Sequence, residues 1–427
     1  MSNRIIIFIC LLAQTLCSCG GSESTQEVDL SKITLVSPEY IRTKIGQTVN
    51  FELNTESLSN TSSNLSYEWR HAGRVFSTEK NPSLTLEDAG LFDVRVTISS
   101  ASSSSSSQTR TLTTQVFAAK ESNYKTVAYF PSWRQYTGND WDKLTHICLC
   151  FGEVKADGTI NIDDVKRNLT QTITKAHQNG VYVLLSLGGG TETEGFTAAI
   201  LNETARKKIT ESSVKIINEL KLDGIDVDYE KWDYHESADN NKKSIEVEKL
   251  YKELREGMPE GQILSIAISP SYIRYKAIRE PMIQYLDLVN LMIYDATGPW
   301  AGSEVGPHSS WEFFLSTIEL AKGINVPDSK IVAGVPFYGY RFRSPVTATE
   351  AISYGEIVRL YPGAEDRNEI TSAQIYYDGK GMITQKSQYV KDNNLAGIMI
   401  WEITQDSKDA SKSLLVAIDN VLETSKN

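Results

Sequence analysis

Between Leu222 and Trp232 the chain reads LDGIDVDYEKW, and four carboxylates, Asp223, Asp226, Asp228 and Glu230, fall within eight residues of otherwise apolar sequence. On an extended strand successive side chains point to opposite faces, so Asp226, Asp228 and Glu230 share one face while Ile225, Val227 and Tyr229 take the other. Carboxylates crowded on one face cannot all ionise cheaply, so a proton is retained and the pKa values are driven apart. An acid still protonated near neutrality beside an ionised carboxylate is the pair that general acid catalysis uses. A calcium site is the rival chemistry, but calcium favours loop ligands with backbone carbonyls over a strand that alternates with Ile, Val and Tyr. Other metals are not indicated, because His71, His146, His177, His235 and His308 are scattered without ligand spacing. Neither a metal nor a cofactor is expected.

Such a strand must be held by a scaffold, and the sequence from Lys125 onward supplies one. Apolar runs TVAYF, HICLCF, VYVLLSL, GIDVDYE, LSIAIS, LVNLMIY, IVAGVPF and GIMIWEI read as buried strands. Helical patterns such as DDVKRNLTQTITKAHQNG, closed by Gly180, and TARKKITESSVKIINELKL lie between them. Eight such strands alternating with helices predict an α/β fold, a (β/α)8 TIM barrel over 124–427, in which chemistry belongs at the C-terminal strand ends, where Asp228 and Glu230 fall.

The residues ahead of the barrel divide into three. The opening MSNRIIIFICLLAQTLCSC has an apolar run too short to span a bilayer and reads as an export signal over 1–18. Its Leu16-Cys17-Ser18-Cys19 resembles the bacterial lipobox, which implies a lipid on Cys19, a tether over 19–29 and attachment to a membrane of the bacterial cell envelope. From 30 to 118 short alternating Thr-, Ser- and Val-rich runs predict a small immunoglobulin-like β-sandwich, with SSASSSSSS as a hairpin loop. YEW followed by AGLFDVRVTIS resembles the polycystic kidney disease type of module, and Trp69 reads as core. Of the five cysteines only Cys148 and Cys150 stay outside the leader and the lipid site, and two positions apart on a strand they are expected as buried free thiols. A net charge of −11 speaks against nucleic acid as a partner. A monomer is expected.

The barrel region resembles glycoside hydrolase family 18, the chitinases and endo-β-N-acetylglucosaminidases. DGIDVDYE matches the family's DxxDxDxE, SLGGG its third-strand SxGG, MIYDATGPW its sixth-strand Met-x-Tyr-Asp, GVPFYGY its seventh-strand motif and IMIWE its eighth-strand Trp. The resemblance implies that Glu230 is the catalytic acid and that Asp228 orients the substrate's acetamido group, with Asp226 sharing a proton or hydrogen bond with Asp228. It implies Asp223 behind this pair, Ser186 as a hydroxyl buttress, Tyr294 as hydrogen-bond partner of the acetamido oxygen, Asp295 shaping that pocket and Trp401 as the floor under the sugar. Gly188 and Met292 belong to the same motifs. Tyr129, Trp133, Phe151 and Trp300 are further stacking candidates, and Trp232 and Tyr234 are expected on the cleft rim.

The reaction this resemblance implies is hydrolysis of β-1,4 bonds beside N-acetylglucosamine, with chitin or chitooligosaccharides as substrate. An endo-β-N-acetylglucosaminidase acting on N-glycan cores is the alternative, and a silent, lectin-like barrel is the alternative of another class. The sequence departs from the family where Tyr340 holds a position often taken by Arg, with Arg341 next. About 55 residues separate Tyr340 from the last strand. That spacing predicts no large α+β insertion and a shallow groove.

Overall fold

The computed structural model describes residues 28–58, 65–100, 108–136, 138, 140–167, 169–190, 194–233, 237–274 and 276–424. The leader, Cys19, the tether up to 27, the serine loop over 101–107, Tyr234 and His235 lie outside them. The described residues divide into two compact units, one within 28–36, 51–82 and 95–112, the other within 37–50, 83–94 and 113–424. The second unit takes in segments on both sides of the domain boundary that composition suggested.

In the first unit Leu65–His71 pairs antiparallel with Arg74–Ser77, and Thr34–Leu35 with Leu53–Asn54. Trp69 is core, as its sequence context implied: it is fully buried 5.3 Å from Phe51, and its indole N–H donates to the Glu79 carbonyl.

The second unit is built on eight parallel strands, β1 (Lys125–Pro131), β2 (His146–Val154), β3 (Tyr182–Gly188), β4 (Gly224–Asp228), β5 (Ile263–Ile268), β6 (Leu288–Leu291), β7 (Ile331–Pro336) and β8 (Gly397–Trp401). β1 pairs with both β2 and β8, which closes the barrel. All eight correspond to the apolar runs read from the sequence. Their alternation splits the core in two. Ala128, Phe130, Val183, Leu185, Ile225 and Val227 pack outward, under the helices. Val127, Tyr129, Cys148, Cys150, Leu184 and Met399 fill the barrel interior. The two cysteines are free and buried, as expected.

Helices Leu169–Gln178, Glu203–Leu220, Ala238–Gly257, Trp311–Gly323, Lys380–Asp392 and Leu414–Leu422 flank the strands. Asn202, Ser237, Ser310 and Ser413 cap four of them, each accepting from a backbone N–H of the first turn. Gly180 follows the first of these helices with φ 68°, the left-handed conformation that made glycine a stop signal there. Helix does not follow every strand: between β1 and β2 the described residues form only the 3-10 turn Asp140–Lys143.

A small insertion is present after β7, where the spacing spoke against a large one. Tyr338–Arg341, Glu350–Ser353, Glu369–Ile370 and Ile375–Tyr377 form a four-stranded antiparallel sheet, joined by the helix Tyr354–Leu360. Its strands are two to four residues long, and one of them continues directly from β7, so little extra sequence is needed.

Candidate active site

The register of the barrel explains how a carboxylate can be tolerated in its interior. Asp226 on β4 lies opposite Ser186 on β3 and Ser265 on β5. It is fully buried and accepts from Ser186 Oγ at 2.7 Å, Ser265 Oγ at 2.5 Å, Tyr129 Oη at 2.9 Å and Asn290 Nδ2 at 3.3 Å. Burying such an ion costs several kcal/mol even after relaxation, and these four donors offset that cost. Burial still holds the Asp226 pKa above the ordinary carboxylate range, with the hydrogen bonds pulling the other way. Ser186 therefore acts as the buttress the motif implied. Ser265 and Asn290 complete the cage.

Asp228, two residues along the same inward face, is 3 % exposed and closes β4 opposite Gly188. Glu230 follows past the strand end. Burial, with the charge of Asp295 adding to it and Lys231 opposing, pushes its pKa up to about 7. A β-carbon at Gly190 would stand 3.3 Å from Glu230 Oε1, so the bare backbone there leaves room for the acid. Tyr294 is buried, and burial together with the charges of Asp228, Asp295 and Glu230 keeps its hydroxyl firmly protonated, a hydrogen-bond donor beside the acids.

Asp295 has φ 63°, a left-handed backbone that costs an L-residue about 1–2 kcal/mol. Its Oδ1 accepts from Tyr338 Oη at 2.5 Å and Tyr340 Oη at 2.9 Å. With Trp401, Arg134, Tyr338, Tyr340, Ala351 and Ser353 it lines a cleft of about 400 Å³. Tyr338, Tyr340, Ala351 and Ser353 all belong to the inserted sheet, so the insertion forms one wall of the cleft.

The indole of Trp401 stacks on Phe151 at 6.0 Å and 23°, leaving part of its surface open at the end of β8. Trp133 is 61 % exposed and tilts against Phe151 at 6.2 Å. Trp300 is 39 % exposed, edge-on to Tyr340 at 6.3 Å. These aromatic surfaces are where a sugar ring could stack.

Several expected site residues sit elsewhere. Tyr129 is 1 % exposed, and its hydroxyl is committed to Asp226 and Asn290, so it is a strut inside the barrel and not a surface for sugar. Ser186 and Gly188 likewise lie buried below the cleft, and Met292 is packed between the two core layers. Asp223 precedes β4 at its opposite end, where it pairs with Arg42 at 3.1 Å and His177 at 2.8 Å and accepts from the Val183 N–H at 2.8 Å. It cannot support the acids from there. Trp232 is buried against Tyr229 and Tyr272, not on the rim.

A proton-holding glutamate, an adjacent buried aspartate, a tyrosine donor and a partly exposed indole at the C-terminal end of a barrel can give a proton to a leaving oxygen. A family profile described as Glycosyl hydrolases family 18 matches residues 125–406. The solved chitinase ChiB from the chitin utilization locus of Flavobacterium johnsoniae is 31 % identical with a TM-score of 0.60, over 71 % of this chain and 94 % of that one. A chitinase structure from Bacteroides thetaiotaomicron is 27 % identical with a TM-score of 0.63, over 70 % of this chain and 97 % of its own. Chitinase 1 of Aphanocladium album is 24 % identical over 362 residues, 69 % of this chain and 84 % of that protein.

Proposed function

Because the chain belongs to glycosyl hydrolase family 18 and is a chitinase-like glycosidase, we propose that it hydrolyses β-1,4 bonds next to N-acetylglucosamine in chitin or chitooligosaccharides, with retention of configuration. The observation that carries this reading is the pairing of Glu230, whose pKa burial pushes up to about 7, with Asp228, the last residue of the strand that Glu230 follows by two positions. In a conventional retaining glycosidase the acid and the nucleophile flank the scissile bond from opposite sides. Two groups two residues apart at the end of one strand lie on the same side of the bond and do not flank it, so the nucleophile comes from the substrate.

Glu230 gives its proton to the glycosidic oxygen as the bond from C1 to that oxygen breaks. The oxygen of the substrate's 2-acetamido group closes on C1 and forms an oxazolinium ion. Asp228 accepts from the acetamido N–H and stabilises the positive charge that develops there, while the Tyr294 hydroxyl donates to the acetamido oxygen and fixes its approach. Glu230, now ionised, takes a proton from water as that water adds to C1 and the ring reopens. Trp401 supplies the floor under the sugar.

Chitin is favoured over the N-glycan core because the cleft has a wall on the insertion side and aromatic surfaces at Trp133, Trp300 and Trp401, suited to an extended chain of repeated rings. Side-by-side assay on chitooligosaccharides and on a high-mannose glycoprotein tests this. Release of chitobiose from the oligosaccharide with the glycoprotein left intact is expected; efficient deglycosylation with no attack on the oligosaccharide would transfer the reading to an endo-β-N-acetylglucosaminidase, and no turnover of either to a glycan-binding barrel.

A further inference from the structure

At the N-terminal end of the barrel, away from the acids, lies a cavity of about 870 Å³, against about 400 Å³ for the cleft. It opens where strands begin. Lys125, His146, Tyr182, Ile263 and Leu288, the first residues of β1, β2, β3, β5 and β6, all line it. Lys44 enters from the strand Tyr40–Lys44, whose last residue pairs with Ala119, the neighbour of Lys120. Three ammonium groups thus share one cavity, and among the described residues none of them is ion-paired with a carboxylate. Lys120 is only 8 % exposed, and its Nζ donates to the Asp142 carbonyl at 2.5 Å, while Lys125 Nζ donates to the Ser122 carbonyl at 2.8 Å. An ammonium has three hydrogens, so each keeps donors to spare. Of the two carboxylates lining the cavity, Asp287 is taken by Arg255 at 2.5 Å and by the Leu264 N–H at 2.8 Å, which leaves exposed Glu121 to offset the cations. A buried cation without a counter-charge is costly. Burial pushes the Lys120 pKa down to about 8, and burial with the charge of Lys44 also holds that of Lys125 below its usual value.

Beside these donors stands one acceptor. Thr145 Oγ1 spends its only hydrogen on the Thr126 carbonyl at 3.1 Å, so at 2.8 Å it accepts from His146 Nδ1, which therefore carries the ring hydrogen. His146 is 4 % exposed, and burial with the charges of Lys125 and Lys120 pushes its pKa down to about 3, so the ring is neutral and Nε2 holds a lone pair. Among the described residues no donor meets that lone pair. We propose that the cavity is a binding site for a phosphate group that keeps one hydrogen, either free hydrogenphosphate or the singly ionised monoester of a membrane lipid. Lys44, Lys120 and Lys125 supply positive charge and N–H donors to its oxygens, and His146 Nε2 accepts from its hydroxyl. A carboxylate or a sulfate carries charge but no hydrogen at neutral pH, and leaves the imidazole lone pair facing a bare oxygen.

Calorimetric titration of the full-length protein at neutral pH with inorganic phosphate and with sulfate tests this, beside sedimentation with phosphatidylcholine vesicles that contain or lack phosphatidic acid. One-site binding of phosphate is expected, with sulfate about tenfold weaker or more. Lys120→Met should weaken phosphate by about tenfold or more, because a charge-assisted hydrogen bond in a buried setting is lost. Lys44→Ala, at an exposed position where the fold is not at risk, should weaken it by about threefold. His146→Phe should erase the preference for phosphate over sulfate. Sedimentation with the phosphatidic acid vesicles alone, reduced in Lys44→Ala and competed by free phosphate, supports the site and assigns the lipid as its source. Binding of dissolved phosphate without sedimentation supports the site and assigns the free anion. Absence of saturable binding to both, or binding unchanged in Lys44→Ala and Lys120→Met, overturns the site, and sulfate bound as tightly as phosphate overturns the part given to His146.

Discussion

Glu230 owes its proton to where the chain puts it. Burial raises the pKa from the ordinary 4.5 to about 7, with the charge of Asp295 adding to the effect. The raised value means the protonated, catalytically competent acid is present below neutrality and is lost as pH rises through about 7, so kcat/KM should fall on the alkaline side with an apparent pKa near that value. The same sign holds for stability: whatever the native state gains by holding this proton is complete below 4.5 and gone above about 7. Glu230→Gln keeps the shape and cannot donate, so hydrolysis should drop by at least about 10²-fold while the thermal midpoint is retained. Activity within about threefold of the parent would remove Glu230 from the role of acid.

Among the elements, β4 separates two jobs along its length. Asp226 and Asp228 differ by two positions and share the inward face, whereas Asp223 differs from Asp226 by three and sits before the strand begins. Its partners are Arg42 and His177, and its side chain is 1 % exposed. Asp223→Ala leaves a cation and a backbone N–H without their acceptor, which should destabilise the fold by about 3 kcal/mol or more. Because this end of the strand is remote from the cleft, kcat of the protein that remains folded should stay within about threefold; a selective loss of kcat with an unchanged melting temperature would restore Asp223 to the catalytic group. The strands were legible because buried apolar runs bounded by helices have few other readings, and the acids because carboxylates at alternate positions have no packing rationale. Ser265 and Asn290 were not, since they reach Asp226 from 39 and 64 residues away and nothing in their own sequence neighbourhood distinguishes them. The inserted sheet escaped for a different reason: strands of two to four residues are too short to display a period. Tyr129 was misassigned because position at a strand suggests a face only up to the parity of its register, and its parity points inward to Asp226.

The whole catalytic unit is polarised along the barrel axis. At the N-terminal strand ends Arg42, from the segment 37–50, secures Asp223, and at the C-terminal ends the inserted sheet, Asp295 after β6 and Trp401 of β8 line the cleft. Such an arrangement lets packing determine stability at one end and leaves the other free for chemistry. In the mechanism proposed above, the substrate and not an enzyme carboxylate attacks C1, and the anomeric form of the first product reports on that attack. In a proton NMR time course started by adding enzyme to a chitooligosaccharide, the new reducing end is expected first as the β anomer, relaxing later to the equilibrium mixture. Appearance of the α anomer first would contradict this mechanism, because only direct attack by water from the face opposite the leaving group inverts the centre.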